Sequence, residues 1–530
     1  MSSFTGTLRA VAAIALADFR QRARSHSFLI ILALTVLASW HLVPPAGATA
    51  APIRIGGFRA LNTAAGIGAS VALLCALWLF FAGFYLVGNT IRRDMATGVG
   101  EILATTRVGK GAYLFGKALS NLAVLFAILV VVSLTLVLLL FVKGEAGESG
   151  VGGGLGALLL PLWLLVPPSL TLVAALAVAA EIHLRRGRML VHAAHFVLWI
   201  GFMTFPFAVF QNASPSSAGS QISDLLALGT VATAFEADLP TVASAGEPPT
   251  QQVTFPFPET TRTFEFRGFR NPLPAWLWRF VWVGIAALLV TLAAISFHRF
   301  DPERAGPAHR PRPGPAETLA APVSRWALAD LAPGSPLLTR LGTELQLMLH
   351  GRSRRWWLVS AGLLLASALA PLPAAHRFLL PVLWLWQLPV LAPLGAREIV
   401  ARTSEIVFAT PRPLTRQLPA AFAAGAALLI ALGLPVAVRE LAAARPLAAL
   451  GVVGGALFLT GLALACGTWT NSTRLFEMLL PLLVYGAHKG MPPLDFTGAN
   501  ASPAVGLWLG AGLFLGLFGL AGRAKQVRSC

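Results

Sequence analysis

The sequence predicts an all-α polytopic membrane protein, and three features of its composition support this fold class. Hydrophobic residues make up 56% of the 530 residues and charged residues only 12%, about half the charged share of an average soluble protein. Only 22 residues are Asp or Glu, which is too few for an ordinary hydrated surface. Apolar stretches of about 20 residues, the length that crosses a bilayer, recur along the whole chain.

We expect about twelve transmembrane helices. Their approximate positions are 27–45, 66–90, 113–142, 155–181, 189–211, 275–297, 356–374, 376–396, 418–438, 446–467, 473–489 and 503–522. The eighth is the least regular because it contains Pro381, Pro389 and Pro393, and the eleventh carries Glu477.

The distribution of basic residues predicts the orientation. The net charge of +18, from 40 basic and 22 acidic residues, would also suit a nucleic-acid-binding protein. With the N-terminus in the cytoplasm, however, 28 Lys and Arg residues fall in cytoplasmic segments and 10 in outer segments. This bias follows the positive-inside rule and favours contact with anionic lipids. We therefore expect a multi-pass protein of the inner (plasma) membrane with both termini cytoplasmic, membrane lipids as partners and no nucleic acid.

The segments outside the predicted spans are few. Residues 212–274 form the one long outer loop, and its alternating aromatic end, 261–269, predicts a short hairpin. A cytoplasmic linker covers 298–336 and begins rich in Pro and Arg. Residues 8–24 and 337–355 each precede a span and predict amphipathic helices on the membrane surface.

An internal repeat divides the chain into two halves. The segment after the second predicted span matches the segment after the eighth at a single offset of 304. The matched pairs are Arg93/Arg397, Asp94/Glu398, Glu101/Glu405 and Ile102/Ile406. Each segment follows an amphipathic helix and the second span of its half. We therefore expect a six-helix half at 1–297, the linker at 298–336 and a second six-helix half at 337–530.

These segments resemble the cytoplasmic segment of ABC-2-type transporter permeases, the membrane subunits of ATP-binding-cassette exporters. The family pattern has a basic–acidic pair, Thr-Gly, Glu followed by two apolar residues, a turn often containing Pro, and Gly-Lys. The first half matches it with Arg92-Arg93-Asp94, Thr97-Gly98, Glu101-Ile102-Leu103 and Gly116-Lys117, but has Thr106 where Pro is usual. The second half has Glu405-Ile406-Val407 and Pro411 and lacks Thr-Gly and Gly-Lys. Most such permeases pair as single six-span units, so the resemblance implies a fused pair.

The resemblance also implies a function. It implies alternating access driven by two separate cytosolic ABC ATPase subunits, which bind the ATP and Mg, while this chain binds no cofactor and only the unidentified transported substrate. The ATPase-coupling residues would be Arg93, Asp94, Glu101, Ile102, Leu103, Arg397, Glu398, Glu405, Ile406 and Val407. A short helix with acidic residues near its start is stabilised by its dipole, and it can place apolar anchors in a groove of a partner.

The sequence contains no convincing catalytic or metal site. Residues 108–111 (Val-Gly-Lys-Gly) imitate a phosphate-binding loop, but Ala104 stands where its first Gly belongs and no Ser or Thr follows the Lys. His192 and His195 lack further ligands nearby, and Glu181 is expected to pair with Arg185 and Arg186.

Three charged residues in or beside spans are gating candidates. Lys117 is expected to extend its ammonium group to the cytoplasmic interface. Arg474 and Glu477 are three residues apart, which places them on one helix face. We expect a structural pair, with gating as the alternative.

Two other classes of function stay open. Twelve spans in two parallel halves with a central linker also describe a major-facilitator-type secondary transporter, although mid-span carboxylates for ion coupling are essentially absent. A membrane-embedded enzyme such as a lipid-linked glycosyltransferase would want an acidic pair in an outer loop, and the first outer loop, 44–62, contains no acid.

Overall fold

The computed structural model describes residues 2–42, 54–55, 58–143, 154–183, 188–212, 217–239, 262–269, 273–298, 300, 336–409, 413–488, 494–500 and 504–529. The chain forms two compact units, Met1–Pro307 and Ala308–Cys530. Most described residues are helical, as expected of an all-α membrane protein. Most of the predicted linker at 298–336 lies outside the described residues.

Unit 1 is built from long apolar helices joined by short ones. Its helices are α1 (Ser2–Ala23), α2 (His26–Leu42), α3 (Ala64–Val87), α4 (Thr90–Ala96), α5 (Val99–Thr105), α6 (Lys110–Lys143), α7 (Gly154–Leu165), α8 (Pro167–His183), α9 (Arg188–Asn212), α10 (Ala218–Ser223), α11 (Leu228–Glu236) and α12 (Leu273–Ser296). The first predicted amphipathic segment lies in α1. Helix α1 packs on α6, and α12 packs on α8.

A small sheet joins the two loops of unit 1 that the sequence places on the outer side. Strands β1 (Arg54–Ile55) and β2 (Phe58–Ala60) pair antiparallel, and β2 pairs in parallel with β3 (Thr263–Phe264). The prediction of a hairpin within 261–269 is therefore wrong, because the strand in this stretch finds its partner in the first outer loop.

A buried ion pair fixes the loop beside this sheet. The Asp224 carboxylate lies 3.2 Å from the Arg279 guanidinium, and both side chains are fully buried. Asp224 also accepts backbone hydrogen bonds from Gly229 and Thr230 at the start of α11. Burial raises the pKa of Asp224, and the charge of Arg279 opposes that rise. The pair thus ties α11 to α12.

Unit 2 contains long helices packed with one predicted span, the eighth, that is interrupted. Its helices are α13 (Pro336–Leu349), α14 (Arg354–Leu369), α15 (Leu372–Ala374), α16 (Leu380–Trp386), α17 (Leu388–Leu391), α18 (Arg397–Val400), α19 (Ser404–Phe408), α20 (Pro413–Ala442), α21 (Pro446–Thr470), α22 (Arg474–His488) and α23 (Val505–Ser529). A π-helical turn, Ala375–Leu379, connects α15 to α16. The second predicted amphipathic segment lies in α13 and the first residues of α14.

Fewer helices reach membrane-crossing length than the sequence predicts. Among the described residues, seven stretches are long and apolar enough: Ala64–Met95, Lys110–Leu139, Gly154–His183, Trp276–Ser296, Arg416–Ala442, Pro446–Thr470 and Val505–Arg528. Three other predicted spans coincide with α2, α14 and α22, which have 17, 16 and 15 residues. Helix α9 has 25 residues, and its fully described part includes the apolar stretch Ala194–Pro206.

The eighth predicted span is interrupted at Gln387. Helix α16 ends at Trp386 because Pro389 has no N–H to donate and its ring crowds the carbonyl of Leu385. The Gln387 side chain is fully buried and donates to the carbonyl of Leu383 at 3.3 Å. The side chain thereby satisfies a backbone acceptor next to the interruption.

Glycines allow α21 and α23 to approach each other closely. A Cβ built on Gly461 would lie 2.5 Å from the carbonyl oxygen of Gly512, and one on Gly512 would lie 2.6 Å from the backbone nitrogen of Phe458. Small residues permit this backbone contact between membrane helices. Helix α23 also contains Gly510, where an added Cβ would have no other atom within 4 Å.

We predict that Gly512→Ala lowers the free energy of unfolding by about 1–3 kcal/mol, because the new methyl group has no space. The matched control, Gly510→Ala, is expected to change it by less than about 0.5 kcal/mol. Thermal unfolding of the detergent-solubilised chain measures both. Equal effects of the two variants would contradict the close contact between α21 and α23.

Candidate functional site

Asp18 joins three helices of unit 1. Its side chain on α1 is buried, yet it forms ion pairs with Arg22 at 2.8 Å, with Lys117 at 2.9 Å and with Arg93. Ser120 donates a hydrogen bond to its second oxygen at 2.7 Å. Arg93 belongs to α4, and Lys117 and Ser120 belong to α6. One carboxylate therefore holds the start of the matched segment against both α1 and α6.

Lys117 extends this cluster to Asp94. Its ammonium nitrogen lies 2.7 Å from an Asp94 oxygen that also accepts a hydrogen bond from the Tyr113 hydroxyl at 2.7 Å. The Lys117 side chain is only 5% exposed. Asp18 and Asp94 therefore neutralise the charge of Lys117 inside the protein. Its extension to the cytoplasmic interface and its gating role stay predictions.

The surroundings of Asp18 keep it ionised. Burial alone would raise its pKa, but the charges of Arg22 and Lys117 and the hydrogen bonds from Lys117 and Ser120 outweigh burial. Together they lower the pKa of Asp18 from 3.8 to about 2. The cluster therefore keeps its negative centre at any physiological pH.

Glu181, which the sequence did not connect to this segment, caps the start of α4. Its carboxylate, at the end of α8, accepts backbone hydrogen bonds from Thr90 and Ile91 at 2.8 Å and from Arg92 at 3.1 Å. A carboxylate at a helix N-terminus satisfies free N–H groups and complements the helix dipole. The predicted partners of Glu181, at 185 and 186, lie outside the described residues. No signal in the sequence places Glu181 beside a segment about 90 residues earlier.

Helix α5 presents the second part of the segment to the surface. Gly98 makes the turn from α4 with φ 76°, which glycine adopts without strain. Gly100 packs against the Phe300 ring, so that an added Cβ would lie 2.8 Å from it. Glu101 is exposed and Ile102 is 68% exposed, whereas Leu103 is half-buried.

The matched segment of unit 2 is also anchored through a buried carboxylate. Arg397 donates to Glu344 of α13 at 2.9 Å and to Glu398 at 3.3 Å. Glu398 is buried and also accepts hydrogen bonds from Arg523 at 2.9 Å and Gln417 at 2.7 Å. Burial would lower the pKa of Arg397, but Glu344 and Glu398 raise it above its ordinary value. Four helices therefore meet at Arg397 and Glu398.

Helix α19 is docked by an aromatic contact. The Arg523 guanidinium lies over the Phe408 ring, 5.0 Å from its centroid, which is a cation–π contact. The preceding turn contains Arg402 with φ 56°, at the position that matches Gly98 by the offset of 304. Glu405 is exposed and Ile406 is 75% exposed, while Val407 is half-buried.

The two segments therefore use the same arrangement with different residues. In each unit the matched arginine contacts a carboxylate on the amphipathic helix: Arg93 contacts Asp18, and Arg397 contacts Glu344. The acidic residue that follows each arginine is buried and bonded within its own unit. Asp94 and Glu398, both predicted as ATPase-coupling residues, are therefore held inside their own units, and their part in coupling stays a prediction. The exposed Glu-Ile pair of each segment is what remains accessible.

The other candidates are not part of these clusters. Arg474 and Glu477 both lie in the first turn of α22, with Glu477 buried, and their pairing stays a prediction. The buried His195 ring bonds the backbone carbonyl of Phe80 at 3.1 Å. In the described parts of the chain, no three His, Cys, Asp or Glu side chains are grouped to hold a metal ion.

Comparison of the chain with models of protein families, with curated proteins and with solved structures finds no match.

We predict that Asp18→Asn lowers the free energy of unfolding by about 3–5 kcal/mol, because it leaves the buried guanidinium of Arg22 without its counter-charge. The control Glu101→Gln alters an exposed carboxylate of the same segment and is expected to change it by less than about 0.5 kcal/mol. Thermal unfolding in detergent measures both. A loss below 1 kcal/mol for Asp18→Asn would show that the cluster does not hold the segment.

We also predict a pH dependence with a defined sign. Since the pKa of Asp18 in the folded chain, about 2, lies below its ordinary 3.8, its stabilisation is complete above about pH 4 and is lost as the pH falls toward 2. The difference in melting temperature between the wild type and Asp18→Asn should therefore narrow from pH 5 to pH 2.5. A constant difference over this interval would contradict the low pKa.

Proposed function

We propose that the chain is the permease subunit of an ABC-type exporter of the inner membrane. It moves its substrate by alternating access, and ATP hydrolysis on two separate cytosolic ATPase subunits drives the movement. The proposal includes two related halves of about six spans each, with the matched segments on the cytoplasmic side.

The observation that carries the proposal is the repeated exposure of a Glu-Ile pair on an anchored short helix. Ile102 and Ile406 are 68% and 75% exposed at positions separated by the offset of 304. On each short helix the exposed isoleucine stands next to an exposed Glu and outside the long apolar spans, and an apolar anchor beside a charge suits the groove of a protein partner. Two such helices in one chain suit two copies of the same kind of partner.

The anchoring supports transmission of force as well as binding. A partner that binds Glu101 and Ile102 and moves would displace α5, which is connected to α4 through the turn at Gly98. Since Arg93 and Asp94 fix α4 to α1 and α6 by buried ion pairs, a displacement of the segment moves both helices. This is the mechanical requirement of a segment that passes motion from an ATPase to a permease.

Affinity purification of the full-length chain from its native cells tests the proposal. We expect a P-loop ATPase to copurify with it. In the double variant Glu101→Arg, Glu405→Arg we expect about tenfold less ATPase, because reversing a charge at each contact costs at least about 1.4 kcal/mol of binding.

Glu265→Arg is the matched control, because it reverses the charge of an exposed Glu in the predicted outer loop and should leave the ATPase yield unchanged. An intact chain without any ATPase, or equal yields from the wild type and the double variant, would overturn the proposal. Substrate-stimulated proton flux through the purified chain alone would favour a secondary transporter.

A further inference from the structure

A buried histidine lies at the end of unit 2 that is remote from Glu398. His376 belongs to the π-helical turn Ala375–Leu379 and is 1% exposed. It contacts Glu440, near the end of α20, whereas Gln417 near the start of α20 contacts Glu398. These two positions on α20 are 23 residues apart, which corresponds to about 35 Å of helix.

Both ring nitrogens of His376 face hydrogen-bond acceptors. Nδ1 lies 2.8 Å from an oxygen of Glu440, and Nε2 lies 2.9 Å from the backbone carbonyl of Thr497. A carbonyl oxygen accepts and cannot donate, so Nε2 carries a proton. A neutral imidazole would then present a lone pair at Nδ1 to the Glu440 carboxylate. Only a second proton between Nδ1 and Glu440 makes this contact attractive.

Two arginines lie close to Glu440 in the sequence. Arg445 lies 4.0 Å from the other oxygen of the Glu440 carboxylate. Arg439, the neighbour of Glu440, donates instead to the backbone carbonyls of Ser367 and Ala370 at the end of α14.

The other charged and titratable groups around the turn have separate contacts. The Asp495 carboxylate accepts backbone hydrogen bonds from the residues at 499 and 500. Arg377 donates to the side chain of Asn500. From α22, the His488 ring packs on Phe378 at a centroid distance of 4.4 Å.

We propose that His376, Glu440 and the carbonyl of Thr497 form a proton-binding latch. The bound proton makes His376 an imidazolium, which ties the π-helical turn to α20 and to the segment 494–500 before α23. Loss of the proton turns the His376–Glu440 contact from attraction into repulsion and releases the turn at the start of the interrupted crossing. This latch is independent of the proposed function in transport.

Magnetic resonance of the full-length chain with ¹⁵N-labelled histidine in lipid bilayers tests the proton directly. We expect one histidine signal with both nitrogens protonated at pH 7, and we expect it to disappear in His376→Gln. A neutral His376 with a single protonated nitrogen at pH 7 would overturn the proposal.

Cysteine labelling tests the release without removing His376. Thr497 is buried and Asn500 is exposed, so Thr497→Cys and Asn500→Cys, each made with Cys530→Ser, form a matched pair. The rate of maleimide labelling at 497 relative to 500 removes the intrinsic pH dependence of the thiol.

We expect this ratio to rise about tenfold between a pH at which magnetic resonance finds His376 doubly protonated and a pH at which it finds a single protonated nitrogen. In a His376→Gln background, which keeps a donor toward Thr497 and cannot titrate, we expect a ratio independent of pH. A flat ratio in the presence of His376, or the same rise with His376→Gln, would contradict the latch.

Discussion

A charge buried beside a membrane needs a counter-charge at a fixed place, and this constraint organises both units. If Asp18 were removed, the buried Arg22 would lose its counter-charge and Lys117 would keep only Asp94, and an uncompensated buried ion costs several kcal/mol. Glu398 is held in the same way by Arg397 and Arg523. Each of these buried carboxylates fixes a short helix to longer ones. The exposed Glu-Ile pair lies on the next short helix of the chain, so the anchored helix sets its position.

The same constraint separates rigid residues from accessible ones within each segment. Asp94 is buried and Arg93 is half-buried against Asp18, and after the Gly98 turn α5 exposes Glu101 and Ile102. In unit 2 the turn passes through Arg402 with φ 56°, a conformation that costs a non-glycine residue about 1 kcal/mol. The anchors at Glu398 and Phe408 on either side of this turn impose that conformation. A segment held at both ends transmits displacement instead of absorbing it.

The sequence predicted the matched segments but not what holds them. Arg93 and Arg397, and likewise Asp94 and Glu398, are matched positions of a sequence repeat. Comparing the sequence with itself at a single offset is enough to find them. The residues that hold these positions are far away in the sequence. Asp18 lies 75 residues from Arg93, and Arg523 lies 125 residues from Glu398. No local sequence pattern encodes such contacts. The three prolines marked the eighth span as irregular, but the sequence does not say which of them interrupts the helix, and the structure places the interruption at Gln387, before Pro389.

Photo-crosslinking in living cells tests most directly whether the exposed pairs contact an ATPase. A photoreactive amino acid is placed at 102 or 406, and at 295 as a control, where Ile295 is 71% exposed on the apolar α12. The account predicts that both 102 and 406 crosslink to the same P-loop ATPase and that 295 does not. Crosslinks from 102 and 406 only to lipid, or to proteins without a nucleotide-binding loop, would contradict it.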